Sequence, residues 1–445
     1  MKLKSVKIRN FRAIGTLDLD LDSHLTVLIG ENAAGKTCVL DAIALALRPL
    51  VERVRTKGGG APIGGVAVVR TPPDIRRIEG VPAVFAAVQV ETPDGLRWER
   101  RLLRDLTRQT RDIASNAFLP VATTGLHNAL DPVIAARGAG DLEAALPVAV
   151  FYGTDRGVVS ERSFLLGSRA AVETEWYNAY NGALRPAAHF HTMATWFEQV
   201  EADELRHRRD EDPTWSHPQL TAVRAAVESV VPGARKVRVS ARRRLEVTLA
   251  EADGHDEVLA LNELSGGYRT LLALVADLAR RMAQANPTLG TDSEAIVLID
   301  EVDLHLHPKW QQTVLDSLRR AFPNAQFIVT THSEQVIAAV EPKHIVRLDR
   351  VSDGVAASRP TSTYGATPDR ISEDVMGVPH LRPARVEDTL KSYWALINDG
   401  AGETEAALTL RATLDGWFQG EDPEMIRADA EVKRQKMLRK LRGTP

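Results

Sequence analysis

Four short runs in this chain carry hardly a polar residue: Leu25–Ile29, Val148–Tyr152, Ala295–Ile299 and Phe327–Val329. Runs of this length with no polar face are the pattern of strands covered on both sides. The first run is followed by Val39, Leu40, Ile43 and Leu47 at helical spacing, and Leu271, Leu272, Leu274, Val275 and Leu278 mark a second buried helix. Buried strands alternating with helices predict an α/β chain.

Other stretches read differently. Val84–Val90 and Arg97–Leu103 have the composition of strands, joined by the turn Thr92-Pro93-Asp94-Gly95. Arg235–Val239 and Arg242–Val247 form a second strand pair, and residues 190–230 show two helical patterns broken between Arg206 and Pro218. Gly58–Gly60 through Gly64-Gly65, with Pro62, Pro72 and Pro73, predict a surface insertion. Val336–Leu348 complete the core. Residues 351–445 add a loop-rich segment from Thr363 to Pro379, then two or three helices anchored by Tyr393, Trp394, Leu396, Trp417 and Phe418. There is no internal repeat and no heptad run long enough for a coiled-coil arm.

The chemistry lies where the apolar runs end. After Ile29 the chain reads Gly30-Glu31-Asn32-Ala33-Ala34-Gly35-Lys36-Thr37, a phosphate-binding loop between a strand and a helix. In that context backbone N–H groups and the helix N-terminus face the phosphates. Lys36 is placed to reach the β- and γ-phosphates and Thr37 to offer a hydroxyl to Mg²⁺. After Ile299 come Asp300, a candidate metal-side carboxylate, and Glu301, a candidate general base for water. After Val329 come Thr330-Thr331-His332, and His332 is placed to sense the γ-phosphate and orient water; a buried structural histidine is the alternative. Ser265-Gly266-Gly267 precedes the helix of Leu271–Leu278, with Ser265 as its expected cap and the glycines as a second anion site.

Composition changes this picture little. A net charge of −3 over 445 residues gives no basic field that announces nucleic acid. The basic residues of Arg235–Arg244 and of the last helix fit either phosphate contacts or a solvated face. One cysteine, Cys38, excludes a disulfide framework and suits a reducing cytoplasm. No apolar run reaches membrane-spanning length and no leader is visible, so no membrane role is expected.

The order of these motifs, with Arg9-Asn10-Phe11-Arg12 in the opening strand, resembles the ABC-type ATPases of the RecF, SMC and OLD group. The resemblance covers roughly residues 1–350. It implies a head with a mixed core sheet and a helical second lobe, plus a C-terminal helical appendage. The divisions expected are 1–158, 159–260, 261–350 and 351–445. It also implies Mg-ATP as cofactor, Arg12 near the nucleotide, and a head-to-tail dimer or higher oligomer in which Ser265–Gly267 of one copy face the phosphate loop of another. Asp303–Pro308 is similar to the segment after the catalytic acids in OLD-like and phage-defence ATPases, with His307 where transporter-type ATPases carry an aspartate. Thr154–Arg156 stand where that class places the glutamine of its inter-lobe loop. The tail looks like that of the ATPase subunit of Septu-type and related retron defence systems, which implies a separate HNH-type nuclease as partner through residues 351–445. A RecF-like DNA repair ATPase and a nucleotide-gated scaffold with negligible turnover are the alternatives.

Overall fold

The computed structural model describes residues 1–60, 74–157, 175–186, 190–240, 244–250, 255–352, 354–377, 382–419 and 422–442. Most of the expected insertion (61–73), Arg242, Arg243, Val378 and Pro379 lie outside them. Two compact units divide the chain, Met1–Pro368 and Asp369–Pro445.

The first unit is built on a six-stranded sheet in the order Gly354–Ser358, Ile345–Val351, Leu25–Ile29, Ala325–Thr330, Ala295–Ile299, Val148–Tyr152. The four apolar runs are its four inner-to-edge strands, buried at every position. They pair in parallel, with Val27 opposite Val329 and Val297 opposite Val150. Only Gly354–Ser358 runs antiparallel, returning from Ile345–Val351 as a hairpin, so the core sheet takes a strand from beyond residue 350. Parallel order carries the C-terminal ends of three central strands to one edge, and Gly30, Asp300 and Thr331 follow there. Ligands of open parallel sheets bind at such edges.

A four-stranded antiparallel sheet, Ile14–Asp20, Ser5–Phe11, Phe85–Glu91 and Arg97–Leu103, accompanies the core. Buried polar groups tie the two sheets to their neighbours. The Trp98 indole N–H donates to the Ala46 carbonyl at 2.7 Å, on the helix Lys36–Lys57. The Gln326 amide, wholly buried in a core strand, accepts from the Leu3 N–H at 2.7 Å and donates to the Leu3 carbonyl at 2.6 Å. A buried amide with its hydrogen bonds made costs little, whereas an unmet one costs about 1–3 kcal/mol.

The expected helices of residues 190–230 are Phe190–Asp210 and Pro218–Val230. Beside them a three-stranded sheet contains the expected pair as Ala234–Val239 and Leu245–Ala250, plus Asp256–Ala260. On it Arg235 faces Asp256 and Arg238 faces Glu246, so part of the basic stretch is neutralised by its own sheet. The helix Gly266–Ala285 is buried along almost its whole length.

The second unit has the helices Ala384–Asn398, Glu405–Phe418 and Pro423–Arg442 around Leu390, Tyr393, Ile397, Leu414 and Met425. Of the expected anchors, Tyr393 is in this core, Trp394, Leu396 and Phe418 pack against it, and Trp417 is exposed. No described helix is long and apolar enough to cross a membrane.

Candidate nucleotide site

The strand Leu25–Ile29 ends at Gly30, whose φ is +145°. A side chain there would place Cβ 2.3 Å from the Leu348 carbonyl oxygen, so the loop can leave the sheet this way only as glycine. The loop then closes on itself: the Ala34 N–H donates to the Glu31 carbonyl at 3.2 Å, and Lys36 begins the helix. The Lys36 ammonium folds back to the carbonyls of Gly30 and Glu31, at 2.8 and 2.9 Å. Burial pushes its pKa down, against the pull of Asp300 and Glu301.

Opposite the loop stand the acids. The Thr37 hydroxyl donates to Asp300 Oδ2 at 2.9 Å, joining two residues 263 positions apart. Glu301 follows with φ +49°, a left-handed turn that swings its backbone off the strand axis. A cleft of about 280 Å³ is walled by Asn32, Ala33 and Gly35–Cys38 on one side and Asp300, Glu301 and His332 on the other, with Ala13 at its margin. Burial, then the nearby Lys36 charge, lowers the His332 pKa, which keeps the imidazole neutral at pH 7. The oxygens of Thr37 and Asp300 fit Mg²⁺, a hard cation that takes one or two protein oxygens and fills its shell with water and phosphate.

Other expected residues lie elsewhere. Arg12 does not line the cleft; its guanidinium pairs with Asp41 and, at 2.7 Å, with Asp74. Gly266 and Gly267 lie against His305 and Leu306 of the same chain. Ser265 holds the position before the helix with extended backbone, but its exposed hydroxyl makes no capping bond, contrary to expectation. In the first turn of that helix the Tyr268 ring packs edge-on to Trp310 at 4.4 Å. His307 Nδ1 accepts the Lys309 N–H at 3.2 Å and so caps the turn Pro308–Gln311, the task a short carboxylate commonly performs. Thr154 and Asp155 are exposed in the turn after Tyr152 and do not line the cleft.

Two buried groups were not singled out from sequence. Thr330 donates to Asp300 Oδ1, and Asp277 sits inside the helix Gly266–Ala285. Each is a polar residue next to an apolar run, Phe327–Val329 before Thr330 and Leu271–Ala276 before Asp277, which is the one signal that could have marked it.

A strand, glycine loop and helix facing two acids that follow the parallel strand next but one in the same sheet define a phosphate-loop nucleoside triphosphatase. Comparison with known proteins narrows that class. Residues 1–57 match the family described as "AAA ATPase domain" and residues 161–338 the family described as "AAA domain, putative AbiEii toxin, Type IV TA system". The chain is similar to the retron Ec83 probable ATPase of Escherichia coli, 24% identical over 98% of this chain and 87% of that protein. It is also similar to the retron Vc95 probable ATPase of Vibrio cholerae serotype O1 biovar El Tor, at 21% over 93% and 87%. The Septu protein PtuA of Bacillus thuringiensis is 33% identical over 27% of this chain and 32% of its own length. The chain is an ATPase of the AAA/ABC type, related to the retron ATPases and to Septu PtuA.

Proposed function

We propose that this ATPase is a dimeric nucleotide switch, the ATPase subunit of an antiphage defence complex that controls a separate HNH-type nuclease. The observation that carries the catalytic part is the contact of Thr37 with Asp300 in a cleft that also holds Glu301 and His332. The defence role is supported by likeness to two retron ATPases along almost the whole chain.

In this reading Gly30–Thr37 wrap the triphosphate of ATP, and Lys36 exchanges its two loop carbonyls for phosphate oxygens. Thr37 and Asp300 would hold Mg²⁺, which would neutralise phosphate charge. Glu301 accepts the proton of the attacking water, and neutral His332 orients that water. Ser265–Gly267 of a second copy close the site, with the uncommitted Ser265 hydroxyl and helix N-terminus toward the γ-phosphate. Two copies then share two composite sites, and hydrolysis loosens the dimer because ADP bridges it less well. Arg12 reaches the nucleotide only by leaving Asp41 and Asp74. The unit Asp369–Pro445 is the dock for the nuclease, supported by its self-contained core and its exposed Leu408, Trp417, Ile426 and Met437.

Two measurements test this. Glu301→Gln should keep ATP binding, lower turnover by roughly 10²-fold or more and hold the dimer closed; wild-type turnover would remove Glu301 from the mechanism. Affinity capture from the native host, with the full chain and with a chain ending at Pro368, tests the partner. A stoichiometric nuclease lost on truncation supports the defence reading, whereas capture of DNA repair factors regardless of truncation favours a RecF-like role.

A further inference from the structure

Asp300 has a different partner on each carboxylate oxygen. Thr37 serves Oδ2, and the Thr330 hydroxyl donates to Oδ1 at 2.6 Å. Thr330 ends the strand Ala325–Thr330 and is wholly buried. Its hydroxyl oxygen also accepts the Glu301 N–H at 2.7 Å, and its carbonyl accepts the Val302 N–H at 2.9 Å. A carboxylate has no proton to give, so the single hydroxyl hydrogen must point at Asp300 and a lone pair must receive Glu301. One residue therefore pins three successive positions, Asp300, Glu301 and Val302.

That turn needs pinning. Glu301 at φ +49° is a left-handed residue without glycine's freedom, a conformation that persists only where its surroundings over-determine it. Thr331 and His332 continue directly from Thr330, so the strand whose end pins the acids also brings the histidine to their side of the cleft. We infer that Thr330 is a positioning residue for hydrolysis: it sets the rotamer of Asp300 toward the metal side and fixes the backbone from which Glu301 projects. The inference rests on the roles proposed above for Asp300 and Glu301.

The test uses the full chain with Thr330→Val, which keeps the shape and loses both bonds, and Thr330→Ser, which keeps the hydroxyl. Binding of a fluorescent ATP analogue is titrated in EDTA and across Mg²⁺ concentrations, alongside steady-state hydrolysis and thermal melting. Valine should leave binding in EDTA unchanged, raise the Mg²⁺ needed for half-maximal binding and lower kcat, each by about 10- to 100-fold, as loss of a partner behind a metal ligand does. Serine should restore both. If valine lowers only the melting temperature and leaves the Mg²⁺ requirement and kcat as in wild type, Thr330 is structural and the inference fails. If the valine chain does not fold, Thr330→Cys, a poor donor of serine's shape, takes its place with the same expected shifts and the same refuting outcome. Glu301→Gln run in parallel separates the two claims. Its loss of turnover beside an unaffected valine variant overturns Thr330 alone, and its retention of turnover overturns the catalytic assignment.

Discussion

The Tyr152 hydroxyl donates a hydrogen bond to the Asp277 carboxylate at 3.0 Å, where both side chains are out of reach of water. Asp277 lies in the helix that Ser265–Gly267 open, and Tyr152 ends the sheet strand beside Asp300. The same tyrosine accepts the Asp300 N–H on its carbonyl at 2.8 Å. A single residue thus touches the helix of the second glycine motif and the backbone of Asp300.

Asp277 is also the counter-ion of Arg280 and Arg281, at 2.7 Å each, and all three are buried. Burial alone would raise its pKa, but the charges of Arg281 and Arg280 outweigh it and hold the carboxyl well below the usual range. A lowered folded-state pKa contributes stability that is present above the unfolded value near 3.9 and lost as pH falls through the folded one. Asp277→Asn strands two buried guanidiniums and should cost about 3–5 kcal/mol in chemical denaturation at pH 7. A loss under 1 kcal/mol, the range of exposed pairs, would show that the trio is solvated.

His332 gives the pH dependence of the site. Its pKa lies below the ordinary 6.5, through burial first and Lys36 second. If His332 acts in its neutral form as proposed, kcat/KM, which reports the free enzyme, should hold steady from pH 8 down past 6.5 and fall only below it. His332→Asn should abolish that acid limb as well as lower the rate. A limb centred at or above 6.5, or one that survives the substitution, would assign the ionisation to another group.

Much of the site could be read from sequence because its parts sit where buried strands end. Ile29, Ile299 and Val329 each close an apolar run, and parallel pairing sends their successors to one edge. The strand Asp256–Ala260 was not legible: Asp256, Glu257 and Val258 are all exposed, so no alternation marks them. Gly354–Ser358 was missed for a similar reason, since only the Val355 side chain, set against Gly35, reaches the phosphate loop while Ala356, Ala357 and Ser358 face water. Thr330 acquires its meaning from a partner 30 positions away, and Asp277's bond to Tyr152 spans 125, which no local pattern contains; only the pairing of Asp277 with Arg280 and Arg281 is local. Ser265 shows the converse, a favoured cap residue at the right position whose hydroxyl is left uncommitted by the packing behind it.

Gly266 and Gly267 look alike in sequence and differ in space. A Cβ on Gly267 would stand 2.6 Å from the His305 carbonyl oxygen, which is backbone and cannot swing away. On Gly266 the nearest atom would be His305 Cβ at 3.8 Å, an ordinary contact. Gly267→Ala should therefore cost about 1–3 kcal/mol through overpacking, and Gly266→Ala less than the roughly 1 kcal/mol by which helical alanine outranks glycine, in either direction. The turn that must yield to Gly267→Ala includes Asp303, which accepts the Thr331 hydroxyl beside His332. Displacement of that turn by even an ångström should lower hydrolysis by up to about 10²-fold while ATP binding to the loop survives. Paired melting and single-turnover measurements on the two alanine variants decide the matter: equal melting temperatures would mean that Gly267 does not pack on His305 in solution.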